Sequence, residues 1–151
     1  MLALLESLGA SIERPAEVNR EDGWILVTTS QGDFEGVLEV KGASKAQFDS
    51  NGIRQLLEWV NRGMELRFKK YKPIFIGTTS PQLAPADRSD PFPDGWKKHA
   101  ALANVAALTT STLYDAYCLH VAGKLDTDSF WVRLFATTGV FYKHDIPIKS
   151  S

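Results

Sequence analysis

At 151 residues, with 44% hydrophobic and 23% charged residues, the chain has the make-up of one ordinary globular domain able to bury a real core. A net charge of −1 gives no overall pull toward polyanions, and a single cysteine, Cys118, excludes an internal disulfide and fits a reducing compartment. No apolar stretch approaches a membrane span and no basic region precedes an apolar run at the N-terminus, so no membrane partner is expected and the expected location is the cytoplasm.

Residues 1–8 read as a helix, with Leu2, Leu4, Leu5 and Leu8 as an apolar stripe and Gly9 as its stop. Residues 12–15 are a short extended piece ended by a proline. Residues 24–29, rich in Ile, Val and Thr, form the first clear strand. A turn at 30–33 then leads into a second strand over 34–41, which makes a hairpin. Residues 42–45 are a loop, in which Gly42 permits close approach of a ligand to the backbone. Asp49 or Ser50 caps a helix running to about Arg62, with Ile53, Leu56, Leu57 and Val60 spaced three and four apart. Residues 73–77 are a continuous apolar run suited to the buried centre of a mixed sheet. A Pro- and Asp-rich excursion over 78–94 is read as too polar for the core. Then come a helix over 95–103, a buried strand over 105–108, and a helix over 113–121 capped by Thr110 or Ser111 and ended by Gly123. In that helix Cys118 reads as a buried structural thiol. Asp126 or Thr127 starts a last helix with Phe130, Trp131, Leu134 and Phe135 on its apolar side. The order of elements is that of an α/β domain.

The second strand carries the chemistry. Its side chains alternate, so Leu38 and Val40 point one way into a core while Val37, Glu39 and Lys41 point the other. An acid and an amine two residues apart on an otherwise apolar strand are costly to bury unless paired or bound. Asp22 lies at the mouth of the preceding strand, one strand and one turn away, so the two carboxylates meet at one end of the hairpin. Hard cations such as Mg²⁺ select carboxylate oxygens and keep several waters. An ion pair of Lys41 with Glu39 or Asp22 at a sheet edge is the plainer reading of the same residues.

Asp22 followed by Glu39-Val40-Lys41 resembles the PD-(D/E)xK nuclease superfamily, and the likeness runs through Arg20-Glu21-Asp22-Gly23, Leu38 to Gly42, Ile53 to Val60, Asp90 to Pro93 and Leu108-Thr109-Thr110, as in bacterial members of that group. The resemblance implies an α/β restriction-endonuclease-like fold, a central mixed β-sheet flanked by α-helices, over residues 1–151. It implies metal-dependent hydrolysis of DNA with Mg²⁺ or Mn²⁺ on Asp22, Glu39 and the carbonyl of Val40, and Lys41 beside the attacking water. Gln55 opens a segment that resembles the Gln-xxx-Tyr element of a nuclease subset, with Trp59 in place of Tyr, and would orient the water or the substrate.

Lys45, Arg54, Arg62, Lys69 and Lys70 are candidate nucleic-acid contacts. The stretch from Arg62 to Lys72 reads equally as a solvated helix end, and Arg54 as a side chain lying over apolar surface. Phe92 and Trp96 are loop anchors or base-stacking residues, and anchoring is the favoured role. Related first helices carry a Glu about two turns before the Leu-Gly. Here Met1 is too close to Leu8-Gly9 and Glu6 is out of phase, so the chain is a fragment of a longer protein or lacks that acid, and either option argues against a second metal site. The expected partner is nucleic acid, DNA ahead of RNA, with a homodimer or an N-terminal partner domain alongside. The rival expectation is a catalytically silent domain of the same fold, a nucleic-acid- or protein-binding module of a larger bacterial defence or ATPase protein.

Overall fold

In the computed structural model, which describes residues 1–15 and 22–151, six strands form one sheet in the order in which they occur in the chain. Helix α1 (Leu2–Ser7) leads into β1 (Ser11–Glu13), β2 (Gly23–Thr29) and β3 (Gly32–Ala43), which pair antiparallel. Helix α2 (Asn51–Arg67) then carries the chain over the sheet to β4 (Lys72–Thr79), parallel to β3. Helix α3 (Asp94–Leu102), β5 (Ala106–Thr109), α4 (Thr110–Val121), α5 (Thr127–Ala136) and β6 (Gly139–Val140) complete a parallel half. The sheet is therefore mixed, and β3 is the seam between its halves. Asp22 and Gly23 lie among the described residues; the Arg20-Glu21 part of the expected motif lies outside them.

Both faces of the sheet are covered. Ile25, Val27, Leu38, Ile74, Ile76 and Leu108 pack with α1, α4 and α5 on one side, where the Trp131 indole donates to Leu8 O at 2.8 Å. Val37, Phe75 and Ala107 pack on the other side with Ile53, Leu56, Trp59 and Val60 of α2 and Trp96 and Ala100 of α3. The alternation expected for β3 holds, but its Glu39 face is core as well. The unbroken Ile74-Phe75-Ile76 run of β4 has the same cause, since a strand buried on both faces needs no polar alternation.

Several boundaries differ from expectation. Gly42 and Ala43 belong to β3 rather than to the loop, because they continue the parallel pairing with Thr78 and Thr79. Helix α2 extends past Arg62 to Arg67 and ends at Phe68, which takes the left-handed conformation (φ 57°) usual for glycine. Its N-cap is Ser50, with no side-chain bond, while Asp49 Oδ1 accepts from Asn51 N at 3.0 Å. Helix α4 is capped one residue earlier than expected, by Thr109, whose hydroxyl accepts from Thr112 N at 3.1 Å. Asp126 caps α5 through Ser129 N, also at 3.1 Å.

Two expectations fail outright. Cys118 is exposed, not buried: α4 buries Thr112, Leu113 and Ala116, and Cys118 shares the opposite face with Tyr114 and Val121. The excursion after β4 is not wholly outside the core. It contains a 3₁₀ turn at Pro85–Asp87 and returns through Pro91 and Phe92, which are buried. Phe92 and Trp96 are anchors, with rings 4.7 Å apart and the Trp96 indole donating to Asp49 O at 3.0 Å. Among the described residues no helix is long and apolar enough to cross a membrane.

Candidate active site at the seam of the sheet

The antiparallel register pairs Gly23 with Leu38, which sets Asp22 beside Glu39 and Val40. Asp22 is held there from both ends. Its own amide donates to Leu38 O at 3.1 Å, and its Oδ2 accepts from Val40 N at 2.5 Å. A carboxylate fixed by a backbone amide has little freedom to turn away.

Glu39 is only 4% exposed, lying between β3 and the underside of α2. Burial, and then the charge of Asp22, push its pKa up to about 7; the Lys41 charge and the Trp59 indole N–H act in the opposite direction. Near neutrality this carboxyl is thus poised between its two forms. Lys41 extends along the same face. Its Nζ lies 3.8 Å from Glu39 Oε1 and donates to Gln55 Oε1 at 3.1 Å.

Helix α2 supplies the other wall. Gln55 and Trp59 are four residues apart, so they sit one turn above the other on the face turned to β3. The Trp59 N–H is buried and has no acceptor within hydrogen-bond geometry among the described residues, although it is close enough to the Glu39 carboxylate to favour its ionised form. A buried donor without a partner is uncommon in a folded protein. The sequence signals Trp59 only as a substituted aromatic in the Gln-xxx-Tyr-like segment; that its N–H is left over beside Glu39 becomes visible only with α2 docked on the sheet.

The donor set fits a hard divalent cation. Two carboxylates and a main-chain carbonyl, those of Asp22, Glu39 and Val40, are oxygen ligands suited to Mg²⁺ or Mn²⁺ rather than to a soft metal. Burial first, and then repulsion by Asp22, lift the Glu39 pKa, and the repulsion is the kind a cation removes. Among the described residues no group of three or more His, Cys, Asp or Glu side chains comes together as a metal cluster. A cation here would depend on water and phosphate oxygens for the rest of its shell.

The structure brings Asp22, Glu39, Val40, Lys41 and Gln55 together. Lys45 is exposed on the connection from β3 to α2, and Arg54 is exposed beside Gln55, paired with Glu58 at 2.7 Å. Lys69 and Lys70 lie elsewhere, while Arg62 stays by the Trp59 wall. Lys72, which follows Lys69 and Lys70, pairs with Gly36 at the far end of the β3–β4 ladder from Lys41, about 16 Å away along the strand. Lys69 is bound to Glu35 at 3.0 Å, and Arg62 lies 5.9 Å over the Trp59 ring. Glu6 is exposed and pairs with Arg14 at 3.7 Å.

No protein-family model and no curated protein matches this chain by sequence. Among solved structures, it is similar to the restriction endonuclease FokI bound to DNA, with a TM-score of 0.61 and 14% identity over 93% of this chain. The match takes up 27% of the FokI chain, so this chain corresponds to about a quarter of that protein. The fold is restriction-endonuclease-like: a mixed six-stranded sheet with helices on both faces.

Proposed function

We propose that residues 1–151 act as a single metal-dependent phosphodiesterase domain that hydrolyses DNA, with Asp22, Glu39 and the Val40 carbonyl holding Mg²⁺ or Mn²⁺. The observation that carries this reading is the placement of the Lys41 ammonium between Glu39 Oε1 and Gln55 Oε1, on the strand whose Val40 amide fixes Asp22. A bound cation of this type polarises a phosphoryl oxygen and lowers the pKa of a bound water. Lys41 meets the negative charge that grows on the phosphate, and needs only its charge and its fixed position to do so. Gln55 holds that ammonium in place through its amide oxygen, which leaves its N–H₂ as a donor for water or substrate. Asp22, anchored by a backbone amide, holds its carboxylate in place without rearrangement as substrate arrives.

DNA is the favoured substrate over RNA, because the restriction endonuclease sharing the fold is described as bound to DNA. A second copy of the chain or a preceding domain would supply targeting, and a cytoplasmic setting fits the reading.

The test is cleavage of supercoiled plasmid and labelled single strands with Mg²⁺ or Mn²⁺, for wild type beside Glu39→Ala and Lys41→Ala. Metal-dependent cutting by the wild type that both variants lose supports the proposal. Cutting that survives in both, or none at all, rejects it. A silent binding domain is the second reading, favoured by the buried Glu39, whose carboxyl does not hold a full charge at neutral pH by itself. Thermal unfolding separates the two, since stabilisation by Mg²⁺ or Mn²⁺ that Glu39→Ala abolishes belongs to the first.

A further inference from the structure

Beyond the C-terminal ends of β4 and β5 a cavity opens, about 270 Å³ in volume, slightly below the usual range for small-ligand sites. It lies between the exit of β4, the segment around Arg88 to Pro91, and the start of α4. Gly77, which lines it, is the register partner of Lys41. Thr79 is two residues further along β4, so the cavity runs from the level of the Lys41 backbone to about 7 Å beyond it.

The lining is rich in donors and carries a positive bias. Thr79 is 3% exposed and lines the cavity. Arg88 donates Nε–H to Leu83 O at 3.0 Å, and its guanidinium has no carboxylate within ion-pair distance among those residues. The first turn of α4 enters through Ser111; its Thr112 amide is taken by the Thr109 hydroxyl, and the amides before it lack intrahelical acceptors. The acid in the wall, Asp90, is already taken up by Lys97 at 2.8 Å and by the Tyr142 hydroxyl at 2.9 Å. Lys143 is paired with Asp115 at 3.1 Å. What remains is an unpaired cation, a buried hydroxyl and a helix N-terminus around a space with apolar patches from Pro85 and Pro91.

We infer that this cavity receives the nucleotide of the substrate strand next to the phosphate that faces Lys41, its phosphate on Arg88, Thr79 and the start of α4. The inference rests on the phosphodiester reading of the Glu39 site but concerns separate residues, so the two fail separately. A phosphate-bearing nucleotide matches the donors, and a nucleotide held within a strand matches the adjacency to Lys41. A free nucleotide shares the chemistry, and the two sources are told apart by the probe.

The experiment is fluorescence anisotropy with labelled hexathymidylate in EDTA, where nothing is cut, with thymidine monophosphate as competitor. Thr79→Val, which keeps the shape, and Arg88→Gln are compared with wild type and with Lys124→Gln, an exposed cation past the far end of α4. The expected result is a 3- to 10-fold weaker dissociation constant for each cavity variant, a larger loss for the pair, and a change below twofold for Lys124→Gln, with melting temperatures unchanged. Hexamer binding by the folded cavity variants equal to wild type overturns the inference, as does thymidine monophosphate binding more tightly than the hexamer. Binding that depends on the cavity in a protein that never cuts would leave the inference standing and reject the nuclease reading; cutting by a protein whose cavity variants bind normally would do the reverse.

Discussion

The Lys41 ammonium donates to the Gln55 amide oxygen at 3.1 Å, tying the last part of β3 to the second turn of α2. Without that bond the lysine, about one-third exposed, would sample several rotamers. Gln55→Ala is therefore expected to lower the rate of metal-dependent cleavage about 10-fold, roughly 1.4 kcal/mol of transition-state stabilisation, while leaving the melting temperature nearly unchanged. Lys41→Met, which keeps length and loses charge, is expected to cost at least about 100-fold. Equal rates for Gln55→Ala and wild type would reject the positioning role.

Glu39 gives a pH dependence with a definite sign. Its folded pKa, about 7, lies above the ordinary value of 4.5. The protonated form is thus favoured by folding: the stabilisation is fully present below about pH 4.5 and is lost as pH rises through 7. In chelator, wild type should lose stability relative to Glu39→Gln across that window, by at most roughly 3 kcal/mol. Added Mg²⁺ should restore wild type and not the variant. Denaturant unfolding at pH 5 and pH 8, with and without metal, measures all four corners.

Trp59 places a buried donor against Glu39, with no acceptor in hydrogen-bond geometry among the described residues. Trp59→Phe keeps an aromatic ring and removes the N–H. The lost ring volume should cost about 1–2 kcal/mol, offset in part because a buried unsatisfied donor goes with it. The distinctive effect is on metal: with less to favour its ionised form, Glu39 should bind Mn²⁺ several-fold more weakly by calorimetry. Unchanged affinity would make Trp59 a packing residue alone.

Two glycines should respond oppositely to alanine. A Cβ on Gly77 would overlap the Phe48 ring and the edge of Phe75, whereas one on Gly95 meets nothing within 4 Å. Gly77→Ala should destabilise by about 2–3 kcal/mol through forced repacking. Gly95→Ala, in the first turn of α3, should stabilise by roughly 0.5–1 kcal/mol. Chemical denaturation of the two variants side by side tests the pair.

What could be read in the chain depended on how local its cause was. The alternation of Leu38 and Val40 against Val37, Glu39 and Lys41 is a property of one strand, and it held. That Glu39 is buried is a property of α2 lying over it, and nothing in β3 announces this. The same distinction explains Cys118, since its neighbours are apolar but its helical phase, set by which face of α4 meets the sheet, points it outward. β6 escaped because two residues carry no period. α2 outran its expected end because its stop is Phe68 in a left-handed conformation, and no glycine marks it. Glu39 and Lys41 were legible as charges on one strand, whereas Gln55 entered only through the resemblance of its segment. The cavity at Thr79 and Arg88 was not legible, because it is assembled from segments separated in the chain.

The seam strand has a further consequence for control of the protein. β3 is paired with β2 from Gly32 to Leu38 and with β4 from Gly36 to Ala43, and past Leu38 the Val40 amide is taken up by the Asp22 carboxylate, so the strand is held on both sides as far as Val40. Amide protons around Val40 should exchange with solvent only through opening events close to global unfolding. Loosening the central strand would therefore cost much of the fold. Whatever regulates it must act at the perimeter, on the β3–α2 connection bearing Lys45 or the segment after β4, where the chain can move while the seam stays shut.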